Sequence, residues 1–128
     1  MKGVLDTSVL IAYEQDRDLD FERIPDELAI SVVSISELAM GVYTATDELV
    51  RAARIRTLTQ VHASLEPLPI DIEVANRHAE LVFRMRESGN RVGLHDSWIA
   101  ATALAHGAAL VTQDTWFELV PNLEVVLV

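Results

Sequence analysis

Five short extended segments, separated by helical patterns, constrain the fold of this chain more than any other feature. They lie at residues 4–5, 28–32, 67–70, 108–111 and 125–128. Most read as continuous apolar runs, which is typical of strands buried on both faces of a parallel sheet. Because helices separate the runs, we predict an α/β fold, a three-layer sandwich around a central, mostly parallel five-stranded sheet.

Helix start and stop signals fill the gaps between these strands. Asp6-Thr7-Ser8 forms a polar turn after the first strand, and a helix follows it. The segment Ser34-Ile35-Ser36-Glu37 has the spacing of a capping box, so we expect a helix to begin there and to run to about Thr44. Further helices are predicted over residues 47–63, 71–87 and 95–106, and Gly107 ends the last one.

The composition is that of one globular domain spanning residues 1–128. Half of the residues are hydrophobic and 23% are charged, which excludes a disordered chain. No apolar run reaches the roughly 20 residues that cross a bilayer, and no secretory leader is evident, so we expect a cytoplasmic protein. The chain has no cysteine, which excludes disulfides, thiolate metal sites and a cysteine nucleophile.

The formal net charge of −10 opposes attraction to nucleic acid. A nucleic-acid substrate would therefore need a local source of positive charge at its binding site. Nine of the ten basic residues are arginines, and seven of them form two clusters along the chain. We interpret both clusters as solvated or ion-paired helix faces; they are Arg51, Arg54 and Arg56, and Arg77, Arg84, Arg86 and Arg91.

Four acidic residues fall where a parallel sheet binds its ligands. Asp6 directly follows the first strand, and Asp114 follows the strand at residues 108–111. Glu37 and Asp96 are predicted in the first turns of helices that begin at the same edge of the sheet. We therefore expect the four carboxylates to converge, although each one alone has a capping or turn role as the alternative.

A cluster of four carboxylates predicts a bound divalent cation. Two such charges about 5 Å apart repel by roughly 3 kcal/mol at an effective dielectric near 20, and a cation relieves this repulsion. Oxygen ligands select Mg²⁺ or Mn²⁺, which support phosphodiester hydrolysis. Thr7, Ser8 and Thr112 could hydrogen-bond the carboxylates or serve only as caps, and His95 is interpreted as a helix-start residue.

Four sequence blocks, one around each of these acids, resemble those of PIN-domain ribonucleases, and more narrowly those of the VapC-type toxins of type II toxin–antitoxin systems. The resemblance covers essentially the whole chain. Many family members carry another acid soon after the residue that corresponds to Asp114, where this chain has Trp116 and Glu118. A second metal therefore has weaker support in this chain. The matching blocks are Val4-Leu5-Asp6-Thr7-Ser8, Ser34-Ile35-Ser36-Glu37-Leu38 with Gly41, Asp96-Ser97-Trp98-Ile99-Ala100-Ala101, and Leu110-Val111-Thr112-Gln113-Asp114 with Phe117.

The resemblance implies a Mg²⁺- or Mn²⁺-dependent endoribonuclease that cuts a structured RNA of the tRNA or rRNA class. It also implies a homodimer and a cognate antitoxin. Asp6, Glu37, Asp96 and Asp114 match the acidic set of the family. We assign Asp6 and Asp96 as the principal metal ligands, while Glu37 and Asp114 would complete the shell or orient the attacking water.

Two other functions remain open at this point. An aspartyl-phosphate phosphotransferase could use Asp6 as its nucleophile, but that chemistry normally needs an acid two residues later, where Ser8 stands. A catalytically silent interaction module could keep the fold and bind only a partner. Retention of all four acids argues against this interaction module.

Overall fold

The computed structural model describes the whole chain, residues 1–128. Its five strands form one sheet in the order β3-β2-β1-β4-β5, and every neighbouring pair is parallel. The predicted α/β class is confirmed, and the sheet is parallel throughout. The strands are β1 (Lys2–Leu5), β2 (Glu27–Ser31), β3 (Glu66–Leu68), β4 (Ala109–Thr112) and β5 (Val125–Leu127).

Five α-helices cover the two faces of the sheet. Asp47 and Asp71 cap α3 and α4 as predicted, since their carboxylates accept the N–H groups of Leu49 and Val74 at 2.7 and 2.9 Å. No helix is both long enough and apolar enough to cross a membrane. The helices are α1 (Thr7–Glu14), α2 (Val32–Thr44), α3 (Glu48–Ser64), α4 (Ile72–Glu87) and α5 (Leu94–Ala105), with two short 3-10 helices at Phe21–Arg23 and Thr115–Leu119.

Alternation along the strands divides the core between the two faces of the sheet. In β1, Val4 packs into the larger cluster with α4 and α5, while Leu5 packs into a smaller cluster with Val9 of α1. Ala100 and Ala101 of α5 are fully buried in the larger cluster, where their small side chains allow close packing. Helices thus cover both faces of the sheet, which is the predicted three-layer arrangement.

The prediction of a capping box at the start of α2 is wrong. The helix begins at Val32, and Ser31 caps it by accepting the N–H of Val33 at 3.1 Å. Glu37 therefore lies beyond the first turn, and the prediction that placed it in that turn is also wrong. The physical reason is that Ser31, the last residue of β2, already offers a hydroxyl to a free N–H group at the helix start.

The interpretation of the first arginine cluster is wrong for two of its three members. Arg51 and Arg54 are partly buried and donate to backbone carbonyls at the end of α2, instead of facing solvent or pairing with acids. The Nε of Arg51 lies 3.2 Å from the Val42 carbonyl, and the Nη1 of Arg54 lies 2.6 Å from the Gly41 carbonyl. The two guanidinium groups satisfy carbonyls that the helix end leaves without partners.

Candidate active site

The site lies where the direction of strand connection reverses. β1 occupies the centre of the sheet, with β2 on one side and β4 on the other. In open parallel sheets, ligands bind beyond the carboxyl ends of the two strands that flank such a reversal. Asp6 directly follows β1, and Asp114 lies two residues after β4, so the topology brings two distant acids to this edge.

Asp6 is buried and held by hydroxyl groups. Only 5% of its surface is exposed, and its Oδ2 accepts hydrogen bonds from Ser8 at 2.7 Å and Thr112 at 2.8 Å. Loss of solvation raises the pKa of the Asp6 carboxyl, while the two hydroxyl donors act in the opposite direction. The fold therefore fixes the position of this carboxylate before any ligand binds.

Glu37 is held from two sides. The Thr7 hydroxyl lies 2.7 Å from Oε1 of Glu37 and 2.9 Å from the hydroxyl of Ser34. Oε2 of Glu37 lies 3.3 Å from Nδ1 of His95, at the start of α5. Contacts from α1 and α5 thus orient a carboxylate that α2 carries.

Asp96 has a different environment, because it makes no hydrogen bond and stands among like charges. Its carboxyl pKa is raised to about 6, first by loss of solvation and then by the charges of Asp6, Asp114 and Glu37, while His95 acts in the opposite direction. All three other acids therefore act electrostatically on Asp96, as expected for one gathered cluster. Asp96 lies in the first turn of α5, as predicted.

Asp114 is exposed and also serves as a cap. Its Oδ1 accepts the N–H of Trp116 at 2.9 Å at the start of the 3-10 helix Thr115–Leu119, and its own N–H donates to Thr112 Oγ1 at 3.0 Å. The capping alternative considered for this residue is therefore correct. It is compatible with a second role, since Asp114 also contributes to the charge that acts on Asp96.

The three hydroxyl residues singled out in the sequence all contact the acids, and sequence reasoning missed two further contributors. Ser34 is fully buried against Thr7, and His95 pairs with Glu37. The spacing of Ser34 and Glu37 puts both on one helix face, a signal that the capping-box interpretation obscured. Gly41, one turn beyond Glu37, has Arg54 beside it, and an added Cβ would lie 3.7 Å from Arg54 Cδ.

The oxygen donors of the cluster fit a hard cation held partly by water. No three acidic or histidine side chains are already arranged as a complete metal-binding group. Mg²⁺ does not require one, because it usually keeps several waters and binds through one or two carboxylates together with substrate phosphates. Fixed Asp6 and unsatisfied Asp96 are the members of the cluster best suited to that role.

Comparison with known proteins places this geometry in a family. The PIN domain family model matches residues 3–123. Ribonuclease VapC5 of Mycobacterium tuberculosis is 46% identical over 115 residues, which is 90% of this chain and 84% of that protein. Ribonuclease VapC4 of the same organism is 41% identical over 128 residues, or 99% and 97% of the two chains.

A solved structure agrees with both sequence comparisons. The crystal structure of a member of the VapBC family of toxin–antitoxin systems, VapBC-5 from Mycobacterium tuberculosis, aligns with a TM-score of 0.91 and 41% identity. The alignment covers 99% of this chain and 98% of the other. The chain therefore belongs to the PIN-domain family and, within it, to the VapC ribonucleases.

Proposed function

We propose that this protein is the toxin of a toxin–antitoxin pair, a metal-dependent endoribonuclease that hydrolyses phosphodiester bonds in a structured RNA of the tRNA or rRNA class. The observation that carries the proposal is the gathering of four carboxylates beyond β1 and β4, with Asp96 exposed to the charge of the other three. Its relatives at 46% and 41% identity are named ribonucleases.

The acids divide the work between binding and orientation. Asp6 and Asp96 would hold Mg²⁺ or Mn²⁺, which supplies positive charge beside the scissile phosphate and the attacking water. With a pKa of about 6, Asp96 is mostly ionised at neutral pH and so is ready to act as a ligand. Glu37 and Asp114 would complete the shell or accept a proton from the water.

The hydroxyl groups act through the carboxylates that they contact. Ser8 and Thr112 hold Oδ2 of Asp6, and Thr7 holds Oε1 of Glu37. Groups that orient metal ligands in this way typically change metal affinity or activity by 10- to 100-fold when they are removed, as a rough guide. We therefore assign Thr7, Ser8 and Thr112 as positioning residues.

The proposed partners are an RNA substrate, a cognate antitoxin and a second copy of this chain in a homodimer. The antitoxin is supported by the relative of known structure, which belongs to a toxin–antitoxin family. An antitoxin would keep the ribonuclease inactive in the cell until it is released. Co-purification of a small protein encoded beside this chain is the direct check on that partner.

The experiment that tests the function compares RNA from cells that express the wild type and Asp96→Asn, by sequencing of RNA 5′ ends. We expect new ends at one or a few positions in the wild-type sample only. The purified protein should reproduce these cuts with Mg²⁺ or Mn²⁺ and lose them in EDTA. Identical ends with Asp96→Asn, or undiminished cleavage in EDTA, would contradict the mechanism, and no cleavage under any condition would favour the silent interaction module.

A further inference from the structure

Two cavities lie near the acids: Glu37 lines the first, and Gly93, which lies beside Asp96, lines the second. The first has a volume of about 300 Å³, lies between α1, α2 and α3, and includes Glu37 in its wall. The second, of about 460 Å³, lies between α4 and the start of α5. We call it the α4–α5 groove, and its walls include His78, Val82 and Arg86 on one side and Gly93, Leu94 and Ser97 on the other.

The α4–α5 groove reaches one of the four acids, Asp96. Gly93 lines it, and a Cβ added to Gly93 would lie 3.5 Å from Oδ2 of Asp96. The loop before α5 is also tied to the Asp114 segment, because the Arg91 carbonyl accepts a hydrogen bond from Trp116 Nε1 at 2.8 Å. An RNA chain bound at Asp96 can therefore extend towards this groove.

Charge distinguishes the two cavities. The first is lined by the carboxylates of Glu14 and Glu37 and by a single cation, Arg54, whose guanidinium already donates to the Gly41 carbonyl. The α4–α5 groove contains Arg86 and no carboxylate, and Arg86 forms no ion pair. In a chain with a net charge of −10, the α4–α5 groove is therefore the better suited of the two cavities to bind a phosphate.

The remaining polar groups of the groove suit recognition of a nucleobase. Asn90 is partly buried, and its side-chain amide has no hydrogen-bond partner, so it can both donate and accept. His78 stacks on Trp98 with ring centroids 3.6 Å apart, and its Nε2 lies 3.0 Å from Ser97 Oγ, which fixes the imidazole in the wall. Val82 and Val92 supply apolar surface between these groups.

We propose that the α4–α5 groove binds the RNA nucleotide next to the scissile phosphate, with Arg86 pairing with its phosphate and Asn90 contacting its base. The inference rests on the proposed ribonuclease function and deepens it. It gives the acidic chain the local positive charge that an RNA substrate requires. Binding in the groove would also set the direction in which the RNA chain crosses the four acids.

The first test compares Arg86→Gln with Arg84→Gln, a matched control on the same helix. Arg84 is paired with Glu80 at 3.2 Å and does not line the groove. Both variants are made in the Asp96→Asn background, and binding of bulk bacterial tRNA is measured with Mg²⁺ at several salt concentrations. Arg86→Gln should weaken binding about tenfold and reduce the slope of log K against log salt by about one, while Arg84→Gln changes binding less than about twofold.

In protein that retains Asp96, the cleavage kinetics of the same two arginine variants distinguish an effect on RNA binding from an effect on the cleavage step. Arg86→Gln should raise KM for RNA cleavage and leave kcat nearly unchanged, because the groove holds the substrate and does not touch the reacting atoms. Equal effects of Arg86→Gln and Arg84→Gln on RNA binding would mean that only the overall charge of the protein matters, and this would overturn the proposal. RNA binding that Arg86→Gln leaves unchanged would overturn it as well.

A second pair of variants tests the base contact with an isosteric change that the fold tolerates. Asn90→Asp puts a negative charge into the groove, and Asn76→Asp puts the same charge on the exposed surface of α4. RNA binding should fall about tenfold more with Asn90→Asp than with Asn76→Asp. Equal binding by these two variants would overturn the proposal.

The possible outcomes distinguish failure of the groove assignment from failure of the proposed ribonuclease function. If the wild type cleaves no RNA, the proposed function fails, and the groove assignment fails with it. If the wild type cleaves RNA while Arg86→Gln and Asn90→Asp behave like their controls, only the groove assignment fails. If Arg86→Gln weakens co-purification of the antitoxin but not RNA binding, the groove contacts protein, and the RNA assignment is wrong.

Discussion

Asp6 and Asp96 belong to the same cluster but are held in contrasting ways. Asp6 directly follows the central strand β1 and is buried, with two hydroxyl donors on one carboxylate oxygen. Asp96 lies in the first turn of α5, is partly buried and has no hydrogen-bond donor on its carboxylate, and the charges of three other acids act on it. The fold thus fixes the first carboxylate and leaves the electrostatic strain on the second, where a cation would relieve it.

The largest expected effect separates catalysis from folding. Asp6→Asn and Asp96→Asn should each lower the rate of RNA cleavage by at least about 100-fold, because each removes a principal ligand. Asp96→Asn should nevertheless fold at least as stably as the wild type in EDTA, since it removes repulsion. Thermal unfolding and cleavage are measured together, and Asp26→Asn, an exposed residue away from the cluster, is the control.

Glu37→Gln and Asp114→Asn should lower cleavage less than these two variants, because they alter groups that only complete the shell. Cleavage by Asp96→Asn at a rate close to that of Asp26→Asn would remove Asp96 from the mechanism. A strongly destabilised Asp96→Asn protein in EDTA would show instead that the carboxylate supports the fold.

Cation binding should stabilise the wild type and not Asp96→Asn. A ligand that binds only the folded state adds about 2.7 kcal/mol at 100 times its Kd, which corresponds to a rise in Tm of several degrees for a domain of this size. We expect this rise on titration with Mn²⁺ or Mg²⁺, measured by thermal unfolding. An equal rise in Asp96→Asn would place the cation elsewhere.

The hydroxyls that hold Asp6 should have a smaller effect on activity. Thr112→Val keeps the shape of a fully buried side chain but removes a donor to Asp6, and we expect cleavage to fall about tenfold. Thr102→Val is a matched control, because Thr102 is equally buried but its hydroxyl bonds to the Trp98 carbonyl within α5. Equal activity of the two variants would mean that the fold fixes Asp6 without this contact.

The smallest expected effect is a pH dependence of stability in EDTA. The folded-state pKa of Asp96 is raised from 3.8 to about 6, so the folded state binds a proton before the unfolded state does as the pH falls. The free energy of unfolding should therefore increase on going from pH 7 to pH 5, on the order of 0.5–1 kcal/mol after allowance for solvent exposure.

Denaturant titration of the wild type and Asp96→Asn at both pH values isolates this contribution, which should be missing from the variant. If the wild type instead loses stability relative to Asp96→Asn between pH 7 and pH 5, the pKa of Asp96 is not raised in the folded state. It would follow that the other three acids do not measurably repel the Asp96 carboxylate.

The strands, and the sheet edge at which Asp6 and Asp114 lie, could be predicted from the sequence because both depend on local patterns. Apolar runs marked β1, β2, β4 and β5, and parallel topology then required Asp6 and Asp114 to lie at one edge. The start of α2 was missed because the apolar run continues through Val32 and Val33, which conceals the end of β2 at Ser31. A strand and a helix that are both apolar have no compositional boundary between them.

The contacts between elements could not be predicted from the sequence. Thr7 and Ser34 are 27 residues apart, and the local sequence around Ser34 indicates only a capping role. The sequence of α3 predicts surface charges at Arg51 and Arg54, because nothing in that helix shows that the end of α2 packs beside them. Such interactions depend on how helices pack together, which residue spacing along one helix does not encode.

Anomalous scattering from crystals grown with Mn²⁺ will show whether these carboxylates bind a divalent cation. We predict a peak within about 2.2 Å of carboxylate oxygens of Asp6 and Asp96, with water completing the coordination, and no such peak in crystals of Asp96→Asn. A wild-type crystal with Mn²⁺ bound only at other residues, or with none at this edge of the sheet, would mean that the four acids do not form a metal site.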